Sequence, residues 1–165
     1  MQVGLTSADV GIKVNNRKVL QAVLEKYDTP EELFAPVCVV VDKLEKLPRE
    51  KIEEELLKLG VSQEAMDGLL SSLSLTSLDA LQEVLGEENA ALAELQTLFQ
   101  LAEAYGYADW LVFDASVVRG LAYYTGTVFE AFDKEGVLRA ICGGGRYDKL
   151  MSAFGAPCIP LSVAE

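Results

Sequence analysis

The sequence contains no histidine, which removes Ser-His and Cys-His nucleophile pairs, the H-E-x-x-H metal site and any histidine general base from the functions open to it. Chemistry falls instead to arginine, tyrosine, carboxylates or the backbone. Cysteine is scarce as well. Cys38, Cys142 and Cys158 are odd in number and lack C-x-x-C spacing, so reduced thiols are expected, with neither a disulfide framework nor a metal site. No window approaches the roughly 18 uninterrupted apolar residues of a membrane span. The opening Met1-Gln-Val-Gly-Leu-Thr-Ser-Ala-Asp9 lacks the basic and apolar regions of a secretory signal and is not rich in Arg and Ser like a transit peptide. A soluble intracellular protein without a membrane partner is the expectation. Basic residues are also missing over a long stretch: from Leu59 to Val118 there is no Lys or Arg, and the formal net charge is −12. That stretch repels polyanions, whereas a surface made to grip nucleic acid along its whole length shows a basic face.

What is present is a half-hydrophobic chain of 165 residues, enough for one globular domain or a smaller core with an appended module. Residues 10–14 read as a short strand. Asn15 and Asn16 then offer capping chemistry for a helix carrying Arg17, Val19, Leu20, Val23 and Leu24 at helical spacing. A second helix is expected to open with Thr29 as cap, Pro30 in the first turn and Glu32 three residues on, although the valine-rich run 37–41 also suits a strand. Amphipathic helices follow over 48–59, 62–73, 77–85 and 88–105, with Gly60, Gly86 and Gly106 placed to end three of them. From Ala108 the pattern changes to strands at 110–113, 127–132 and 137–142, the last two joined as an antiparallel hairpin through Asp133-Lys-Glu-Gly136. Residues 146–154 suit the restart of a helix. The order is α+β, with helices grouped in the middle.

Two stretches carry candidate chemistry. Asp114-Ala-Ser-Val-Val-Arg-Gly-Leu-Ala-Tyr-Tyr-Thr-Gly126 is a loop between strands in which Arg119, beside Gly120, can present a planar fork to a carboxylate or phosphate. Tyr123 and Tyr124 supply flat walls with hydroxyl handles for a small polar ring. The plainer alternative pairs Arg119 with Asp114 or Asp148 and makes the tyrosines core aromatics. Gly143-Gly-Gly-Arg-Tyr-Asp148 permits close backbone approach to a ligand. It is not a phosphate-binding P-loop, since no Gly-Lys-Ser/Thr follows; alternatively it is a glycine-rich turn with an Arg146–Asp148 surface pair.

In this order and about twenty residues apart, the two stretches resemble the histidine-specific motifs of class II histidyl-tRNA synthetases. Val10-Gly-Ile-Lys-Val-Asn-Asn-Arg-Lys-Val-Leu20 and Val41-Asp-Lys-Leu-Glu-Lys46 resemble further segments of that family. The resemblance implies a fragment of the class II synthetase antiparallel sheet with a helical insertion domain. Residues 1–27 are then part of the catalytic core and 28–106 the helical insertion. Residues 107–165 carry catalytic-core strands with the histidine-binding motifs, truncated before the third class motif.

The activity implied is ligation of histidine to its tRNA through histidyl-adenylate. L-Histidine, ATP and histidine tRNA are the substrates, Mg2+ accompanies ATP, no tightly bound cofactor is involved, and the full-length family forms homodimers. The attacking carboxylate is already ionised, so activation needs charge stabilisation and alignment, not a protein base. By the resemblance, Arg119 is the catalytic residue, bridging the histidine carboxylate and the α-phosphate. Tyr123 and Tyr124 lie at the amino-acid pocket, Tyr124 and Tyr147 reach the imidazole nitrogens, and Gly144 and Gly145 let the strand end pass close to the substrate. Tyr147→Phe is then expected mainly to weaken discrimination among amino acids.

Ala122 stands where many family members have Asp. The first and second class motifs, the ATP-binding Arg after the glycine run and the anticodon-binding domain find no match here, so the chain is expected to be inactive alone. Its compartment by resemblance is cytoplasmic or organellar, chloroplast or mitochondrion. Two rival functions are a synthetase-like non-catalytic regulatory or sensor domain, and a helical interaction module with a small sheet. The second leaves both motifs unexplained.

Overall fold

A computed structural model of the chain describes residues 4–44, 46–121, 123–137, 140–155 and 162–164. Ala122, Cys158 and residues 138–139 and 156–161, which fall in segments singled out above, lie outside them. The first strand, β1 (Val10–Asn16), runs directly into α1 (Arg17–Lys26). Asn16 makes that junction abrupt. It is the last strand residue, and its side chain accepts from the Lys18 backbone N–H as the helix cap, while its Nδ2 donates to Glu94 at 2.7 Å.

The valine-rich run folds as α2 (Phe34–Val41) and not as a strand. Alternation would have exposed Cys38, yet Val37, Cys38 and Val41 are buried while Val39 is 48 % exposed, the period of a helix. Thr29 does not cap this helix. Pro30 instead precedes a 3-10 turn, Glu31–Leu33, without a side-chain cap. Four helices follow as expected: α3 (Arg49–Lys58), α4 (Gln63–Ser72), α5 (Leu78–Leu85) and α6 (Ala90–Ala104). Ser62, Ser77 and Asn89 cap three of them through side-chain oxygens. Gly60, Gly86 and Gly106 end helices with φ of +91°, +85° and +76°, a region open to glycine at no steric cost.

Trp110 belongs to a 3-10 turn, and β2 (Leu111–Phe113) follows it. The sheet is completed by β3 (Thr127–Asp133), β4 (Cys142–Arg146) and β5 (Ser162–Ala164), in the order β2-β1-β3-β4-β5. The β1–β2 pair is parallel and the others antiparallel, so the α+β expectation holds with a mixed sheet. Because parallel neighbours need a crossover, the whole helical middle serves as the connection from β1 to β2.

The hairpin between β3 and β4 forms, but its second strand is shifted from the expected 137–142. Asp133 accepts from the backbone N–H groups of Glu135 at 3.0 Å and Val137 at 3.2 Å. Its carbonyl accepts from Gly136, so the turn takes up residues 133–137, and among the described residues pairing is seen again where Ile141 N–H donates to Ala131 at 2.8 Å. The glycine run is therefore strand and not loop. Residues 146–154 do not restart an α-helix either; only a 3-10 turn, Met151–Phe154, appears, and Gly155 at φ +78° ends it.

Directly paired residues share a face of the sheet. One face carries Val14, Phe113 and Phe129 against Leu81, Leu92 and Leu95 of α5 and α6. The opposite face carries Lys13, Asn15, Val128, Glu130, Gly143 and Gly145. Helices α1 to α4 enclose a second core around Val23, Val37, Ile52, Leu56, Met66 and Leu69, which Val118 joins from the loop after β2. No described helix is long and apolar enough to cross a membrane.

Candidate functional site

The loop after β2 crosses the second sheet face, and polar side chains fasten it there. Asp114 leads it off. Burial pushes the Asp114 carboxyl up, but hydrogen bonds from Ser116 and Lys13 outweigh that and hold it below its ordinary value, with Lys13 Nζ at 2.9 Å. Asn15, 2 % exposed, donates through Nδ2 to the carbonyls of Ala115 at 2.9 Å and Val117 at 3.1 Å. Arg17, 4 % exposed, donates through Nη1 to the carbonyls of Arg119 at 2.9 Å and Leu121 at 2.8 Å. From the end of α2, Asp42 accepts the Gly120 N–H at 2.9 Å.

Arg119 itself has φ +55°, a left-handed conformation that costs free energy for any residue with a Cβ. Its guanidinium lies against Gly143, where a Cβ would come within 2.7 Å of Nη1, and 3.3 Å from Glu130 Oε2. The ion pairs therefore differ from the plainer alternative: Arg119 meets Glu130, Asp114 meets Lys13, and Asp148 meets Arg146 Nε at 2.8 Å. The Arg146–Asp148 pair read from the sequence is present.

Two residues along β4, Gly145 repeats the arrangement with an aromatic partner. A Cβ there would meet Tyr124 Cδ1 at 2.8 Å and the Thr127 carbonyl at 2.8 Å. Tyr123, Tyr124 and Tyr147 form a cluster with ring centroids 4.7, 5.6 and 6.2 Å apart, packed on Val117 and Val128. Tyr124 is 2 % exposed, and its hydroxyl is buried without a hydrogen-bond partner, a rare condition that calls for an explanation. Gly144 lies on the other pleat, paired with Phe129, so the glycines facing the site are Gly143 and Gly145.

Arg119 and Glu130 line a cleft of about 940 Å³ together with Asp42, Lys43 and Lys46. The tyrosines lie outside that lining, beyond Arg119 along the sheet; the step from Gly143 to Gly145 is about 7 Å. Such a face can hold a carboxylate or phosphate at Arg119, an ammonium at Glu130 and a flat polar ring at the tyrosines. Near the base of α2, burial pushes the Cys38 thiol up to about 11, so it stays neutral.

Of the residues expected at the site, the structure places Arg119, Tyr123, Tyr124, Gly145 and Tyr147 on one face and Gly144 on the other; the expectation did not include Asn15, Arg17, Asp42 or Glu130. The usable signal was a consecutive Asn-Asn-Arg at a strand-to-helix junction, where Arg17 occupies a position that helical periodicity assigns to the interior.

A family model described as histidyl-tRNA synthetase matches residues 2–160. The chloroplastic/mitochondrial histidine–tRNA ligase of Arabidopsis thaliana is 55 % identical over 159 residues, covering 96 % of this chain and 33 % of that protein. The chain thus spans about a third of the length of the curated relatives it matches. Among solved structures, the histidyl-tRNA synthetase of Nostoc sp. PCC 7120 superposes with a TM-score of 0.81 at 30 % identity, over 94 % of this chain and 39 % of that one. A Bacillus halodurans protein described as an ATP phosphoribosyltransferase regulatory subunit/histidyl-tRNA synthetase superposes at 0.73 and 24 % identity, over 98 % of this chain and 41 % of that one, a likeness of fold alone. With the family model matching nearly all of this chain and both signature stretches folded against each other across one sheet face, this chain belongs to the histidyl-tRNA synthetase family.

Proposed function

We propose that this chain supplies the histidine-binding part of a histidine–tRNA ligase. The observation that carries the reading is the buried, unpartnered Tyr124 hydroxyl on the same face as Arg119, with about 7 Å between their two glycine cradles. A bound histidine spans a similar length from carboxylate to imidazole. Its ring would give the Tyr124 hydroxyl the partner it lacks, with Tyr147 beside it, and its carboxylate would fall to Arg119.

In activation, the histidine carboxylate attacks the α-phosphorus of ATP, histidyl-adenylate forms and pyrophosphate leaves. The histidyl group then passes to the 3′ end of histidine tRNA. Arg119 bridges the carboxylate and the α-phosphate, where negative charge accumulates. Glu130 receives the α-ammonium group and holds the Arg119 fork until substrate arrives. Mg2+ enters with ATP as part of that substrate. Residues 28–106 form the family's helical insertion, whose acidic stretch from Leu59 onward shapes and shields the site more than it grips tRNA. ATP and tRNA contacts fall mostly to the other two thirds of a family-length protein, which is a homodimer. The Arabidopsis relative favours an organellar compartment.

Calorimetric titration of the chain with L-histidine and a non-hydrolysable histidyl-adenylate analogue tests the reading. Both bind, and Arg119→Ala weakens the analogue by at least about ten-fold. Absence of binding to this chain and to a family-length form sinks the proposal and favours the non-catalytic alternative.

A further inference from the structure

We propose that Asn15, Arg17 and Asp42 are positioning residues for Arg119. They fasten the loop 115–121 so that the Arg119 backbone stays left-handed and its guanidinium lies over Gly143. The proposal rests on the histidine-binding reading above for its functional consequence, not for its geometry.

The hydrogen bonds form a regular pattern. Asn15 takes the carbonyls of Ala115 and Val117, and Arg17 takes those of Arg119 and Leu121. Every second carbonyl of the loop is therefore gripped from the β1–α1 junction. Asp42 grips the opposite side, accepting the N–H of Gly120, the residue immediately after the strained one. Carbonyl and amide on either side of the Arg119–Gly120 bond are thus fixed by different elements, which sets the orientation of that peptide plane. A left-handed arginine persists only where its surroundings over-determine it, and these contacts meet that requirement.

The chemical cost of Arg17 points the same way. Its guanidinium is buried, and among the described residues no carboxylate lies within ion-pair distance of it. Its neighbours include the two loop carbonyls, the Phe34 ring 5.2 Å away and the neutral Cys38 thiol. A buried charge without a counter-charge is a poor stabilising device. Its planar fork is well suited to holding two carbonyls two residues apart. Gly120 fits the same contact: a Cβ there would meet the Asp42 carboxylate at 3.2 Å, so a side chain at that position would push the clamp off its amide.

The test uses the 165-residue chain. A residue with positive φ gives a strong intraresidue amide-to-Hα Overhauser effect, which reports the Arg119 backbone directly. Arg17→Met and Asp42→Ala are expected to abolish that signal, and Asp42→Asn, which keeps an accepting oxygen for Gly120, to restore it. Titrations with L-histidine and L-histidinol supply the functional half, because histidinol lacks the carboxylate assigned to Arg119. Arg17→Met and Asp42→Ala should weaken histidine by about ten-fold or more and histidinol by less than about two-fold. Retention of the Arg119 signal in both variants, or an equal loss of both ligands, overturns the positioning role. Should Arg17→Met not fold, the Asp42→Ala and Asp42→Asn pair decides. If neither the unsubstituted chain nor a family-length form binds either ligand, the histidine reading fails, while the Arg119 signal still decides the clamp.

Discussion

Replacing Gly143 or Gly145 by alanine adds one methyl group to the same face of the same strand, yet the structure assigns the two changes opposite consequences. At Gly143 the new Cβ would lie 2.7 Å from Arg119 Nη1 and 2.8 Å from Cζ. The guanidinium is the far end of a flexible side chain and can withdraw by the roughly 0.7 Å needed to reach ordinary contact. That adjustment costs on the order of 0.5–1.5 kcal/mol of rotamer strain, which the removal of a glycine from a strand interior offsets by about 0.5–1 kcal/mol. Net stability should therefore change by less than about 1 kcal/mol. At Gly145 the Cβ would meet the Thr127 carbonyl at 2.8 Å, Tyr124 Cδ1 at 2.8 Å and Val128 Cγ1 at 2.9 Å. One of these is backbone in the paired strand and two are buried side chains, so destabilisation of about 1–3 kcal/mol from overpacking is expected. Urea denaturation measures the stabilities, and titration with histidine measures the site. Gly143→Ala should fold almost as the parent while weakening histidine by ten-fold or more, since displacement near 1 Å at a reacting group can cost about a hundred-fold. Equal destabilisation by the two variants, or histidine affinity untouched in Gly143→Ala, would refute the placement of the Arg119 guanidinium over Gly143.

Tyr124→Phe removes a buried hydroxyl that has no partner; without ligand the variant should be as stable as the parent or up to about 1 kcal/mol more stable, while its histidine affinity falls, both read by denaturation with and without histidine. Asp114 is held below its ordinary value near 3.8, so its contribution is complete above that value and disappears as pH falls through the lower folded value. Denaturation between about pH 6 and pH 3 should show a loss of stability at the acid end that Asp114→Asn reduces; an unchanged profile in the variant would count against the Lys13–Asp114–Ser116 contacts. Leu56→Ala, at a fully buried position of the α1–α4 core, should cost about 3 kcal/mol in the same assay and leave the Arg119 backbone signal unchanged in the folded protein.

The local elements were largely legible because their determinants are local. Ser62, Ser77 and Asn89 accept helix N–H groups two or three residues ahead, and Gly60, Gly86 and Gly106 adopt positive φ one or two residues after their helices. Such signals lie within one turn of the chain. The misreadings arose where two local signals competed. Residues 37–41 have the composition of a strand, and only burial on the period of a helix settled them. The segment 137–142 looks like a strand, but the Asp133 side chain holds the turn through Val137, and the strand that forms runs from Cys142 to Arg146. Residues 143–145 have the composition of a turn, yet their lack of side chains is what lets a strand pass beneath Arg119 and Tyr124.

The sequence by itself determined the family, the helical middle, the absence of histidine chemistry and the residues of the signature loop, since these depend on residue identity and short spacing. Only the tertiary structure decided how that loop is held. Asn15 and Arg17 meet it across about a hundred positions of sequence, and Asp42 reaches it from a helix that reads as plain core. Glu130 meets Arg119 because the β3–β4 register sets it beside Gly143. Apart from Glu130, these partners lie far off in sequence, and a hydrogen bond formed only after β1, α2 and β3 converge leaves no periodic trace in the chain. The reason is physical: spacing along the chain encodes which face a residue occupies, whereas the residue it meets on that face depends on the packing of distant elements.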